Sequence, residues 1–127
     1  MQIGRLICFA SLLMSFQVLA AKVVQVDING AITPTVAGYL EDAIHYAEAE
    51  KAEALLITLD TPGGLLEATR QMVQSMLASE VPVIVYIAPS GARAGSAGVF
   101  LTLAAKVSVM APNTHLGAAH PVSMFGG

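Results

Sequence analysis

The chain has 127 residues, of which 55% are hydrophobic and 12% charged, and its formal net charge is −3. This length suits one domain. The six Lys and Arg residues are scattered, which excludes the basic surface that nucleic-acid binding requires. A single cysteine and three scattered histidines give too few ligands for a zinc site, so we expect neither a metal nor a cofactor.

The N-terminal segment Met1–Ala21 has the pattern of a secretory signal. It carries one charge, Arg5, followed by the apolar run Leu6–Leu19 and small residues where a signal peptidase would cut. We therefore divide the chain into a signal peptide, residues 1–21, and a domain, residues 22–127, that is exported to the periplasmic or extracytoplasmic face of the membrane. The alternative is an uncleaved, membrane-anchoring N-terminus.

Apolar strands and amphipathic helices alternate after the signal. Strands are predicted at Lys22–Ile28, Ala54–Leu59, Val83–Ile87 and Lys106–Met110, and helices at Pro34–Glu50, Leu65–Ala78 and Ala97–Ala105. Thr35 is the predicted cap of the first helix. This alternation is typical of an α/β fold with short, mainly parallel strands. The residues after Met110 resemble loops, so we expect the fold to be incomplete at its C-terminus.

Two glycine-rich turns leave the carboxyl ends of neighbouring predicted strands, Asp60–Gly64 after the second and Gly91–Gly98 after the third. Ligands of α/β sheets bind outside the carboxyl ends of the strands. Because parallel neighbours bring such ends to one edge, the two turns should lie side by side. We expect Asp60 to cap or brace its turn rather than to take part in chemistry.

Ser96 begins the third predicted helix, where exposed backbone N–H groups and the helix dipole can stabilise an oxyanion. The amides of Gly63 and Gly64 would face it together with the Ala97 amide, which is an arrangement suited to acyl transfer. Two alternatives stay open. Ser96 is an ordinary helix cap, or the turns bind phosphate, although neither fits a phosphate-loop pattern.

Five segments together resemble the N-terminal protease domain of the long-form NfeD proteins. They are Leu59–Leu65, Val81–Ile87, Gly91–Gly98, Met110–Thr114 and Gly117–Val122. This family consists of membrane-bound, Clp-protease-like serine proteases, also called stomatin operon partner proteins. The segments occur in the family's order at compatible spacing from about Lys22 to Gly127.

The resemblance implies a Clp/crotonase-like fold and a Ser–Lys dyad. Ser96 matches the family's nucleophile, and Gly63, with Gly64 beside it, and the Ala97 amide match its oxyanion hole. The family's lysine lies in a helix beyond Gly127, so no residue here matches it. Membrane association is expected through family segments that also lie beyond this sequence, and we expect a homo-oligomer.

The sequence therefore leaves the general base unidentified. A helix is predicted between Ser96 and Lys106. At a rise of about 1.5 Å per residue it separates the two residues by roughly 15 Å, which is too far for the lysine to contact the serine. His120 is an alternative base, since Clp proteases use a histidine from this region; otherwise it lies at the rim of the substrate groove. Arg93 and Gly95 are candidates for lining that groove, although Arg93 could instead tie its loop down.

The resemblance implies a serine endopeptidase that cleaves apolar peptide segments, with a stomatin-like membrane protein as candidate substrate and partner. One alternative is a non-catalytic module of the same fold that binds a stomatin-type partner. Another is a crotonase-type acyl-CoA enzyme, which an exported location disfavours.

Overall fold

The computed structural model describes residues 20–119. The predicted signal peptide, apart from Ala20 and Ala21, lies outside the described residues, and so does His120. In chain order the elements are β1 (Val23–Asn29), α1 (Pro34–Ala49), β2 (Ala54–Asp60), α2 (Leu66–Ala78), β3 (Val83–Ile87), β4 (Arg93–Gly95), α3 (Ala97–Ala104), β5 (Val107–Met110) and β6 (His115–Gly117).

The larger sheet has the strand order β1-β2-β3-β5, and all three of its pairings are parallel. Helix α1 connects β1 to β2, α2 connects β2 to β3, and α3 precedes β5. Parallel neighbours require such crossovers, because each strand must return to the same edge before the next begins. The predicted α/β fold with a mainly parallel sheet is confirmed.

The core lies between one face of this sheet and the helices. Alternate strand residues are buried on that face, among them Val26, Ile28, Ile57, Leu59, Val85 and Ile87, and the helices contribute Leu40, Ile44, Met72 and Leu101. None of the residues of β2 and β3 is exposed, which explains their nearly continuous apolar sequences. By contrast, every residue of the edge strand β5 is exposed.

Helix α1 is capped by Thr33, so the expectation that Thr35 caps it is wrong. The Thr33 hydroxyl accepts a hydrogen bond from the Val36 N–H at 3.3 Å. Pro34 takes the first helical position, where its fixed φ suits the helix and its missing N–H costs nothing. The cap must therefore precede the proline.

A second, two-stranded parallel sheet is formed by β4 and β6. It is tied to the end of β2 through Thr61, whose N–H donates to Arg93 O at 2.7 Å and whose carbonyl accepts from the Gly95 N–H at 2.9 Å. The sequence analysis did not predict these three-residue strands. They hold the segment before Ser96 in place beyond the carboxyl edge of the larger sheet.

No helix formed by residues 20–119 combines the length and the apolar character needed to cross a membrane.

Candidate active site

Ser96 lies at a sharp turn between β4 and α3, with φ 48° and ψ −106°. Such a backbone conformation is strained for a residue with a side chain, and it persists only where the surroundings impose it. Here the Ser96 N–H donates to Gly117 O at 3.2 Å, and its carbonyl accepts from the Val99 N–H at 3.0 Å. A serine on a strained strand-to-helix turn is the arrangement that exposes the nucleophile in many hydrolases.

Ser96 occupies the N-cap position of α3, but its side chain does not act as a cap. Within residues 20–119 the hydroxyl makes no capping hydrogen bond to the helix. An ordinary capping serine accepts a bond from an N–H of the first helical turn. The geometry therefore disfavours the interpretation of Ser96 as a helix cap and leaves its hydroxyl available.

The two glycine-rich turns lie side by side, as the parallel sheet predicts. Gly63, with φ 119°, faces Ser96 directly: a Cβ atom on Gly63 would lie 2.7 Å from Ser96 Cβ and 3.2 Å from its Oγ. No side chain fits between them. The Ser96 side chain thus lies directly beside Gly63, on the side where a Cβ atom of Gly63 would be. An oxyanion site has to lie next to its nucleophile in this way.

The Cβ position of Gly64 faces a different part of the structure from that of Gly63. A Cβ atom on Gly64 would overlap Ile32 O. The Leu65 N–H donates to Ile32 O at 3.0 Å, and the Ile32 N–H donates to Gly63 O at 2.9 Å. The second glycine therefore lets the turn pack against the segment that follows β1. Of the two glycines predicted for the oxyanion site, Gly63 is the one in contact with Ser96.

Thr61 is a residue of the site that the sequence analysis missed. It is fully buried, and its Oγ1 accepts a hydrogen bond from the Gly63 N–H at 3.1 Å. The amide predicted to bind an oxyanion is thus held by a neutral hydroxyl in this structure. A Thr two residues before a glycine in a turn is a known pattern for such a bond, and it was a usable signal.

Asp60 has a bracing role, but its partner is the other turn. Its Oδ1 accepts the N–H of Arg93 at 3.0 Å. This bond joins the end of β2 to the start of β4, so it helps to fix the distance between the two turns. The predicted bracing contact is therefore present, although it joins two turns instead of closing one.

An open cavity of about 320 Å³ lies beside Ser96. Its lining includes Pro62, Arg93, Gly95, Ser96, His115 and Gly117. Both predicted groove residues, Arg93 and Gly95, therefore line the same cavity as Ser96. His115 was not singled out from the sequence, because only the pairing of β6 with β4 brings it to this wall.

The fold is that of the ClpP-like proteases. The structure of a ClpP1 variant from Listeria monocytogenes superposes on this chain with a TM-score of 0.63 at 23% identity. The match covers 72% of this chain and 54% of the ClpP1 chain. The solved 1510-N membrane-bound stomatin-specific protease, in a variant complexed with a substrate peptide, matches 82% of this chain with a TM-score of 0.78 and 41% identity.

The chain belongs to the family described as NfeD1b, N-terminal domain, whose profile matches residues 22–127. It is 42% identical over 106 residues to the membrane-bound protease PH1510 of Pyrococcus horikoshii. The family resemblance of the motifs is thereby confirmed. The alignment covers 83% of this chain but 24% of PH1510, and the solved 1510-N chain is matched over 48% of its length.

Proposed function

We propose that this chain is part of a serine endopeptidase domain in which Ser96 is the nucleophile. The observation that carries the proposal is the strained turn that holds the Ser96 hydroxyl against Gly63. The family membership supports it, because the relatives at about 40% identity are named proteases. Ser96 Oγ would attack the peptide carbonyl carbon, and its proton would pass to a general base and then to the leaving amine.

The oxyanion of the tetrahedral intermediate would be bound by the N–H groups of Ala97 and Gly63. Ala97 follows the nucleophile at the start of α3, where N–H groups lack helical partners. Gly63 would exchange its bond to Thr61 Oγ1 for one to the oxyanion. Hydrogen bonds to a charged oxygen are about twice as strong as neutral ones, so this exchange favours the transition state over the resting enzyme.

A lysine base would have to come from outside these 127 residues. The lysines of the sequence, Lys22, Lys51 and Lys106, each precede a parallel strand, and the structure puts them at the sheet edge opposite to Ser96. The side-chain hydrogen bond from Lys22 to Glu50 also raises the pKa of Lys22, whereas a lysine base needs a lowered one. His120 stays the alternative base.

The proposed substrate is an apolar peptide segment, with a stomatin-like membrane protein as the candidate. This rests on the 1510-N relative, which is named stomatin-specific and is solved with a substrate peptide. Export through the predicted signal, association with the membrane and homo-oligomerisation are parts of the same proposal. Membrane association is supported by the relative PH1510, which is named a membrane-bound protease.

The test is Ser96→Ala in the full-length protein. We expect it to abolish both peptide cleavage and labelling by a fluorophosphonate probe without changing the circular dichroism spectrum. Ser90→Ala is the matched control, since Ser90 lies on the exposed loop before β4 and accepts a bond from Asn113 Nδ2 at 3.3 Å. Undiminished cleavage in Ser96→Ala would overturn the proposal. A wild-type protein that binds a stomatin-like peptide but neither cleaves nor labels would indicate the interaction module.

A further inference from the structure

We infer that Arg93 and His115 form a carboxylate-binding subsite at one end of the Ser96 cavity. The subsite would take an acidic group of the bound peptide, two to three residues from the scissile bond. This inference rests on the proposed peptidase function and adds a specificity that neither the family nor the relatives' names contain.

The pairing of β4 with β6 brings the two side chains together. Arg93 is in register with His115, and Gly95 with Gly117. Residues in register on neighbouring strands are about 4.8 Å apart and share a face of the sheet. Ala94, between Arg93 and Gly95, is fully buried, so the Arg93 face is the one turned away from the core.

The neighbouring positions on this face are glycines, and the face is open on the β6 side. A Cβ atom on Gly117 would meet nothing within 4 Å, whereas at Gly95 it would lie 3.0 Å from Pro62 O, so the glycine turn covers that position. All four residues line the cavity. The wall thus consists of a bare backbone next to Ser96 and two nitrogen-bearing side chains farther away.

The Arg93 and His115 side chains both carry hydrogen-bond donors. Arg93 and His115 are both exposed. In the described part of the chain, the contacts between basic and acidic side chains involve Lys22 and His45, so the guanidinium of Arg93 has no carboxylate partner there. Asp60 contacts Arg93 through the backbone: its Oδ1 accepts the Arg93 N–H. A guanidinium fork suits a carboxylate, and an imidazole N–H can add a second donor.

The distance between Arg93 and Ser96 indicates which residue of the peptide can reach the subsite. Arg93 precedes Ser96 by three residues, roughly 10 Å at about 3.3 Å per residue. An extended substrate has a similar rise, and the arginine side chain reaches part of that distance. An acidic group two or three residues from the scissile bond therefore meets the pair while the intervening residues pass over the open Gly117.

The experiment measures peptide binding to the full-length Ser96→Ala variant by fluorescence anisotropy. Apolar peptides carry Glu at the second or third position on either side of the central bond, and matched peptides carry Gln there. We expect the best Glu peptide to bind about fivefold more tightly than its Gln partner, the scale of a partly exposed charged pair. Free and amidated C-termini distinguish a terminal carboxylate from a side-chain carboxylate as the ligand.

Substitutions of Arg93 complete the test. Arg93→Gln should remove the preference for Glu, and Arg93→Glu should reverse it in favour of Lys peptides, while His115→Gln should reduce it. Arg70→Gln is the control, because it makes the same charge change on the exposed surface of α2, away from the cavity. Equal binding of Glu and Gln peptides by the protein with Arg93 intact, or a preference that persists in Arg93→Gln, would overturn the subsite.

The two proposals fail in distinguishable ways. A wild-type protein that cleaves peptides and labels at Ser96, but has no preference for Glu, contradicts the subsite alone. A wild-type protein that does not label or cleave contradicts the peptidase proposal, whatever its peptide preference.

Discussion

Gly63 lies against Ser96 so closely that a methyl group on Gly63 would be 2.7 Å from Ser96 Cβ and 3.2 Å from Oγ. Real Cβ atoms do not approach other heavy atoms at 2.7 Å, so one of the two turns would have to move. The glycine turn and the serine turn therefore form one unit, and the geometry of the serine depends on a residue in another loop.

Gly63→Ala should impair both stability and the reactivity of Ser96. The positive φ of 119° is unfavourable for any side chain, at about 1–3 kcal/mol, and the methyl group would displace Ser96. Gly30→Ala is the matched control, since Gly30 has φ 112° but open space around its Cβ position. We expect both variants to lose thermal stability, but only Gly63→Ala to lose fluorophosphonate labelling. Equal labelling of the two variants would contradict the contact.

Ser96→Gly should be more stable than Ser96→Ala. Both lack the hydroxyl, but alanine keeps the strained backbone at φ 48°, which glycine adopts without the Cβ penalty. A difference of about 1 kcal/mol corresponds to roughly 4–8 °C in Tm for a domain of this size. Differential scanning fluorimetry of the two variants measures it. A higher Tm for Ser96→Ala would indicate that the turn is not strained.

Gly98→Ala should destabilise the protein although it lies in a helix. A Cβ atom there would meet Thr61 Cγ2 at 2.8 Å and Ala94 Cβ at 3.0 Å, so α3 would be pushed from the β4 turn. Overpacking of this kind costs about 1–3 kcal/mol. Gly38→Ala in α1 is the control: its Cβ position is open, so it should stabilise by about 0.5–1 kcal/mol. Urea unfolding of both variants gives the comparison, and a stabilising Gly98→Ala would refute the close contact.

Thr61→Val should weaken the glycine turn, whereas Thr61→Ser should largely preserve it. Valine removes the oxygen that accepts the Gly63 N–H and leaves a buried donor without its partner, at about 1–3 kcal/mol. Serine keeps the oxygen and removes only the methyl group that faces Gly98. We expect fluorophosphonate labelling to fall in Thr61→Val and to be retained in Thr61→Ser. The reverse order would show that the methyl contact, and not the hydrogen bond, positions the turn.

The order of strands and helices was predictable because local patterns encode it. Runs of apolar, β-branched residues such as Ala54–Leu59 mark the central strands of the sheet, although alternate residues of β2 are only partly buried. The spacing of apolar residues in Pro34–Glu50 marks a helix packed on one side. Parallel pairing then brings the Asp60–Gly64 and Gly91–Gly98 turns to one edge of the sheet, so the approximate position of Ser96 followed from the sequence.

The details of the site were decided by contacts between residues that are distant in the chain. The three-residue strands β4 and β6 are too short for any periodic pattern to reveal, and their pairing alone brings His115 next to Arg93. Likewise, both glycines of the turn look equivalent in the sequence, but Ile32 packs against Gly64 and leaves Gly63 to face Ser96.

The sequence by itself thus determined the α/β architecture, the family and the turn that carries Ser96, because burial patterns and short motifs are local properties. Only the tertiary structure decided that Thr61 holds the Gly63 amide, that Ser96 is strained and without a capping bond among residues 20–119, and which side chains line the cavity. The physical reason is that backbone strain and hydrogen-bond partners arise when separate turns are packed together, and no single segment contains that information.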